Sequence, residues 1–364
     1  MQPQLTQAEQ SSQAIRLREL LEDAVRRSTA DGILLSGGLD TSIVSVLAAQ
    51  HGRKLQAVSV SVADVISPDE PFTKLIADRC GFSLRVLRPS LADLIAAMPA
   101  VMRVLGGFDP MELRNSAVTW LALHAAHEAG ITAVFTGDAA DELFAGYSYI
   151  FNMPAEQVRP YLDFLNGVMR FSSIPMGANL GVRSQLPYVD SAVRDFALTM
   201  SRDDLIGERE GQRFGKKVLR EAFADLLPEE ITWRVKTPIE YGSGSHALQK
   251  FVTDSVSDDE FETARVQLAA EDGISLRDKE QFFYYRIYRT TLPRPREQVG
   301  GAKRCTACGG RSREPNRSIA VSVALIRVES SLCPNQRRRS HGAGARIAIW
   351  RCIGRLACSI SRRF

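Results

Sequence analysis

Asp31-Gly32-Ile33-Leu34-Leu35-Ser36-Gly37-Gly38-Leu39-Asp40-Thr41-Ser42 is the stretch that decides the architecture of this 364-residue chain. Its first five residues form a short, mostly apolar run. Gly37 and Gly38 can turn sharply and let backbone come close to a ligand. Immediately after it, Ile43, Val44, Val46, Leu47 and Ala48 recur at helical spacing. The stretch therefore predicts a buried strand, a tight turn and a helix, and the β-rich residues 55–62 predict the next strand of the unit. A turn of this kind points free backbone N–H groups and the positive end of a helix dipole at an anion. Ser36, Thr41 and Ser42 add hydroxyl donors, so the loop suits a pyrophosphate. Asp40 would be repelled by bare phosphates, and its presence argues for a bridging Mg²⁺, a hard cation that takes oxygen ligands. An ordinary glycine-rich turn with an acidic cap is the alternative.

Working outward, residues 13–27 read as a charged amphipathic helix within an N-terminal segment, 1–30. Residues 71–80 predict a helix stopped by Gly81, 83–87 a third strand, 90–105 and 115–129 two helices, the second closed by Gly130, and 131–136 a fourth strand. The alternation predicts an α/β fold, a doubly wound parallel sheet, over a nucleotide-binding core at 31–150. Residues 151–299 read as a helical, substrate-side portion of the same domain, punctuated by Pro187, Pro228, Pro238 and Gly242.

Two further stretches carry chemistry. Thr136-Gly137-Asp138-Ala139-Ala140-Asp141-Glu142-Leu143-Phe144-Ala145-Gly146-Tyr147 leaves the carboxyl end of a predicted strand, the side on which open α/β sheets bind ligands, so it can meet the first loop over one nucleotide. Its carboxylates suggest metal binding, although acids at a solvated helix start would look the same. The second stretch runs from Gly215-Lys216-Lys217 to Trp233-Arg234-Val235-Lys236-Thr237-Pro238, and cations aimed at a departing pyrophosphate would stabilise developing charge, although taken alone the stretch reads better as a solvated basic helix face.

Together these stretches resemble the synthetase domain of the asparagine synthetases and the related β-lactam synthetases, over residues 31–244. The family's loop S-G-G-L-D-S-S stands as Ser36 to Ser42 with Thr41 for one serine. T-G-E-G-A-D-E-L-F-G-G-Y stands as Thr136 to Tyr147, and K-x-x-L-R, L-P and W-R-x-K as Lys216 to Arg220, Leu227-Pro228 and Trp233 to Lys236. The resemblance implies a PP-loop ATP pyrophosphatase fold of the adenine nucleotide alpha hydrolase kind, and an ATP-dependent carbon–nitrogen ligase. That enzyme forms AMP and pyrophosphate while adenylating a carboxylate for attack by ammonia or an amine. It implies ATP and Mg²⁺ as cofactors. Leu35 and Ser61 would flank the adenine, Thr136 and Gly137 would contact the nucleotide, and Ser36, Gly37, Gly38, Asp40, Thr41 and Ser42 would line the phosphates. Asp40 and Asp141 would ligate the metal, and Lys236, Lys216 and Asp138 are the catalytic candidates.

There are departures. The family's Glu-Gly is Asp138-Ala139, and its E-x-R-x-P-F-L-D stands as Arg183-Ser184-Gln185-Leu186-Pro187-Tyr188-Val189-Asp190, which predicts that charges for aspartate recognition are lost. No glutaminase domain is expected, so nitrogen would come from ammonia, an amine or a separate amidotransferase.

Residues 300–364 hold 14 Lys and Arg against Glu314 and Glu329, a charge of +12 beside −8 for residues 1–300. They show no period and read as disordered or as the product of a reading-frame change, dispensable for folding after about residue 310. Cys305 and Cys308 resemble half of a zinc ribbon whose second pair is missing, so zinc is not expected. Cys80 is the lone cysteine of the body, and with no apolar run long enough for a span or signal, a cytoplasmic, membrane-free protein is expected. A tRNA-modifying relative with an RNA-binding tail is an alternative that the acidic body disfavours, so no nucleic-acid partner is expected. A non-catalytic nucleotide-binding regulator is another alternative, disfavoured by the intact Asp40, Asp141 and Lys236.

Overall fold

The Ser11 hydroxyl accepts a hydrogen bond from the Ala14 amide and so opens the first helix, α1 (Ser12–Arg27), which buries Leu17, Leu20, Leu21 and Val25 along one face. The computed structural model describes residues 11–295, together with the backbone of a two-residue ladder between Lys303–Arg304 and Arg311–Ser312. The expectations for the basic stretch, including Cys305 and Cys308, lie outside the described residues.

From α1 the chain alternates through β1 (Gly32–Leu34), α2 (Leu39–Gln50), β2 (Gln56–Val60), α3 (Glu70–Cys80), β3 (Ser83–Leu87), α4 (Leu91–Leu105), α5 (Pro110–Glu128), β4 (Ala133–Phe135) and α6 (Ala140–Leu143). Gly81 ends α3 at φ 64°, the left-handed cap that glycine adopts without a Cβ penalty. The fifth helix begins earlier than the expected residue 115. The Asp109 carboxylate accepts from the Glu112 amide and Pro110 stands first in the helix, a start signal that the sequence reading passed over.

All strands of the main sheet are parallel, in the order β3-β2-β1-β4-β5, the last being Arg183–Gln185. The chain winds outward from β1 to β3, then returns to lay β4 on the other side of β1. The order therefore reverses between β1 and β4, the switch point at which such sheets bind ligands. β4 is buried at every residue and Ile33 of β1 is fully buried, as expected of strands covered on both faces. Asp31 ties the two together: its carboxylate accepts from the amides of Thr132 and Ala133 at 3.1 and 2.9 Å, and its own amide donates to the Ala133 carbonyl.

After α6 come α7 (Ala155–Val168), α8 (Ser173–Leu180), β5, α9 (Ser191–Ala197), α10 (Arg202–Leu205), β6 (Gly207–Arg209), β7 (Gln212–Phe214) and α11 (Lys217–Phe223). The described residues of the stretch expected to be helical thus hold three strands. β5 is a three-residue polar edge strand without alternation, fixed by pairing with β4. β6 and β7 form a hairpin whose Glu210 and Gly211 both lie at positive φ, 53° and 75°.

The described chain forms two compact units, one of residues 11–92, 118–167 and 171–245 and the other of 93–117, 168–170 and 246–295. In the second, the Phe108 ring lies 5.0 and 5.1 Å from those of Tyr285 and Tyr288, and Arg114 pairs with Glu280 in the interior. No single helix among the described residues is long and apolar enough to cross a membrane.

Candidate functional site

The loops that follow β1 and β4 leave adjacent strand ends and touch. A Cβ on Gly137 would lie 3.0 Å from the Cβ of Asp40 and 3.1 Å from Cγ2 of Thr41, so this close approach favours glycine. In the first loop, Gly37 has φ 72°, the Gly38 amide donates to Ser36 Oγ at 3.2 Å, and the hydroxyls of Ser36 and Thr41 lie 3.0 Å apart. Ser42 Oγ is fully buried with no partner among the described residues.

Asp40 sits in the first turn of α2 and Asp141 in that of α6, and their carboxylates meet at one cation. Lys216 Nζ lies 2.7 and 2.6 Å from the two oxygens of Asp40 and 2.7 Å from Oδ1 of Asp141. Its backbone takes the left-handed conformation, φ 59°, just before α11, and its amide donates to the Phe144 carbonyl. Glycines make room for it. A Cβ on Gly146 would collide with the Asp141 carboxylate and with Lys216 Cε, and one on Gly215 with the Ala145 carbonyl. Lys236 pairs with the other oxygen of Asp141 and holds its ammonium 5.1 Å from the centre of the Tyr147 ring, whose hydroxyl donates to Glu142 at 2.6 Å. Lys216 is 5% exposed and Lys236 34% exposed, so only the second can still turn toward a bound molecule.

Burial drives the electrostatics. It pushes Asp40 above the usual carboxylate range, with Lys216 opposing and Asp141 adding to the rise. Burial acts upward on Asp141 too, but Lys216 and Lys236 outweigh it and hold that group ionised. On Lys216 burial acts downward and is overcome by Asp141 and Asp40, so the ammonium persists. Burial, with help from Asp141, raises Glu142 to about 7. It also raises Asp138, against hydrogen bonds from Ser173 Oγ at 2.5 Å and Thr136 Oγ1 at 2.9 Å.

The remaining candidates lie at neighbouring strand ends. Leu35 is buried and its amide donates to the Val58 carbonyl, while Ser61 is buried and its hydroxyl accepts from Arg88 at 2.8 Å. Arg183 is exposed, and the Gln185 carboxamide exchanges hydrogen bonds of 3.1 and 3.0 Å with Thr29. Of the two side chains that carry the change expected to spoil aspartate recognition, Gln185 is engaged with Thr29 and Arg183 faces solvent. Ala139 and Ala145, where the resembling family has glycine, lie at φ 78° and 54°, a left-handed conformation costing about 1 kcal/mol for each.

Sequence reasoning missed several participants. The Tyr188 hydroxyl donates to the Asp40 carbonyl at 3.0 Å. Arg220 is buried, donates to the carbonyls of Gly215, Thr232 and Arg234, and is lowered by burial to about 10. Arg234 reaches Gly37 and Asp69. Tyr188, Arg220 and Arg234 stood within recognised motifs, whereas Asp69 carried no local signal.

Asp40 and Asp141 fit Mg²⁺ chemically: two hard carboxylates converge on a single cationic point, and this ion needs only one or two protein carboxylates when phosphates and waters complete its shell. No group of three or more ligating side chains occurs among the described residues.

Residues 16–173 and 174–308 match the model of the asparagine synthase family. The glutamine-hydrolyzing asparagine synthetase B of Escherichia coli strain K12 is 27% identical over 305 residues, covering 77% of this chain and 54% of that protein. The glutamine-hydrolyzing asparagine synthetase of Zea mays is 25% identical over 311 residues, covering 77% and 51%. The chain spans about half the length of the curated relatives it matches. NMN synthetase from Francisella tularensis superposes at a TM-score of 0.32 with 14% identity, over 77% of this chain and 94% of that one, a likeness too slight to carry an argument.

Proposed function

This chain belongs to the asparagine synthase family, and from that premise we propose that it is an ATP-dependent ligase that adenylates a small carboxylate for attack by ammonia or an amine. The observation that carries the reading is Lys216 bridging Asp40 and Asp141 where two strand-end loops meet at the switch point. Loops so joined suit a nucleotide whose phosphates rest on residues 36–42 and whose base lies against Leu35 and Ser61.

In this reading a carboxylate oxygen of the substrate attacks the α-phosphorus, the bond to the bridging oxygen breaks, and pyrophosphate leaves with its electron pair. The amides at the start of α2 and the hydroxyls of Ser36, Thr41 and Ser42 hold the departing group. Asp40 and Asp141 would hold Mg²⁺, which when bound neutralises phosphate charge. Lys216 keeps the two carboxylates together, and Lys236, partly exposed, turns from Asp141 toward the charge that develops on the phosphoryl oxygens. A nitrogen nucleophile then attacks the acyl carbon, releasing AMP and a proton. Ammonia, an amine or a separate amidotransferase supplies that nitrogen.

The test is the full chain with ATP, Mg²⁺ and a panel of carboxylates and amines, followed by phosphorus NMR. AMP and pyrophosphate are expected, and Asp40→Ala abolishes their formation. ADP and phosphate as products would overturn the proposal.

A further inference from the structure

We propose that Arg234 is a positioning residue that locks the Gly37–Gly38 peptide in the orientation that binds phosphate. Its Nη1 donates to the Gly37 carbonyl at 3.2 Å, while Nη2 pairs with Asp69 and donates to Thr237 Oγ1 at 3.3 Å. The guanidinium lies 4.1 Å over the Phe72 ring and its side chain is only 11% exposed.

The argument begins with the peptide itself. A trans peptide is planar, so its carbonyl and its N–H point in opposite directions. Holding the Gly37 carbonyl outward against Arg234 therefore holds the Gly38 N–H inward, where it now meets Ser36 Oγ at 3.2 Å. Between two glycines that plane can rotate with little steric resistance, because neither residue has a Cβ to confine it. A rotated plane would present a carbonyl oxygen to an anion in place of an N–H, repelling what the loop must attract. Gly37 is nevertheless needed, since a Cβ there would strike the backbone of Phe72 and Thr73. The loop thus gains close packing at the expense of a free rotor, and Arg234 removes that freedom.

Arg234 is itself well anchored. Asp69 and Phe72 come from the start of α3, and Arg220 holds the Arg234 carbonyl at 3.3 Å. Lysine could not do the same work, because one ammonium lacks the planar fork that reaches Gly37 and Asp69 together while stacking on a ring.

This inference rests on the reading of residues 36–42 as a phosphate site, and calorimetry separates the two. The full chain, with Mg²⁺ present, is titrated with pyrophosphate and with AMP, as wild type, Arg234→Met and Arg234→Lys. Arg234→Met is expected to weaken pyrophosphate binding about tenfold or more, the scale of one charge-assisted hydrogen bond, and AMP binding less than twofold. Arg234→Lys should fall between. Should Arg234→Met fail to fold, Asp69→Asn removes the charge partner alone and is expected to give a smaller loss confined to pyrophosphate. Pyrophosphate affinity within twofold of wild type in the folded variants, or equal losses for both ligands, would overturn the lock and leave the proposed function standing. A wild-type chain that binds no pyrophosphate would overturn both.

Discussion

Lys216 and Lys236 touch the same carboxylate and are suited to different tasks. Lys216 is sealed between Asp40 and Asp141 beneath Gly146, and removing it would leave two largely buried carboxylates sharing what Lys236 can offer one of them. Breaking a buried pair by deleting one partner costs about 3–5 kcal/mol, so Lys216→Ala should lower urea-unfolding stability by that order and lose activity with it. Lys236 is a third exposed and its ammonium also rests against Tyr147, so its loss leaves Asp141 with Lys216. Lys236→Ala should therefore fold as wild type and slow turnover by roughly 10²–10³-fold, the scale of one charge-stabilising donor, with ATP affinity changed less than about threefold. Parallel losses of turnover and ATP binding in that variant would make Lys236 a binding residue alone, and an undiminished urea midpoint for Lys216→Ala would deny the strut role.

Elements were legible where their signals were local. Gly81 marked the end of α3, the apolar run at Ile33 to Leu35 marked β1, and the two strand-end loops announced themselves by composition, so the sheet's core and the acidic half of the site could be read directly. β5 could not: Arg183-Ser184-Gln185 is a strand because β4 offers it a ladder, a property of the partner. The same holds for Asp69 with Arg234, brought together across 165 residues of sequence. Asp31 shows how one side chain sets an element pair, since its carboxylate takes the amides of Thr132 and Ala133 where β4 begins and fixes that strand against β1. Burial acts to raise its pKa, yet the bonds from Ala133 and Thr132 prevail and lower it. With the folded value below the unfolded one, its contribution is present above the unfolded pKa of about 3.9 and is lost as pH falls through the folded value. Asp31→Ala should accordingly cost about 1 kcal/mol at neutral pH, where the side chain is exposed and solvent competes for its bonds. That difference should shrink as urea unfolding is repeated toward pH 2. A gap that stays constant with pH would mean that packing, not the ionised carboxylate, joins the strands.

The charge of the whole molecule bears on how it could hold a nucleotide. Residues 1–300 sum to −8 and residues 301–364 to +12. Within the site, Lys216 and Lys236 are committed to Asp40 and Asp141, while burial favours the neutral forms of Asp138 and Glu142. Most of the site's positive charge is thus engaged by its own carboxylates, inside a body whose summed field is repulsive. A divalent cation must supply the balance if the loops are to accept a triphosphate, and Asp40 with Asp141 are the groups chemically suited to share it. ATP binding, followed by calorimetry, should weaken at least tenfold when Mg²⁺ is replaced by EDTA, while adenosine binding, which involves no phosphate, should change less than about twofold. Were the basic stretch at 301–364 the source of attraction instead, ATP binding would survive EDTA and fall steeply as salt is raised, because exposed charges are screened over about 10 Å at 0.1 M ionic strength. Retention of full ATP affinity in EDTA would thus refute the paired carboxylates as the metal's holders, and the salt titration would identify what replaces them.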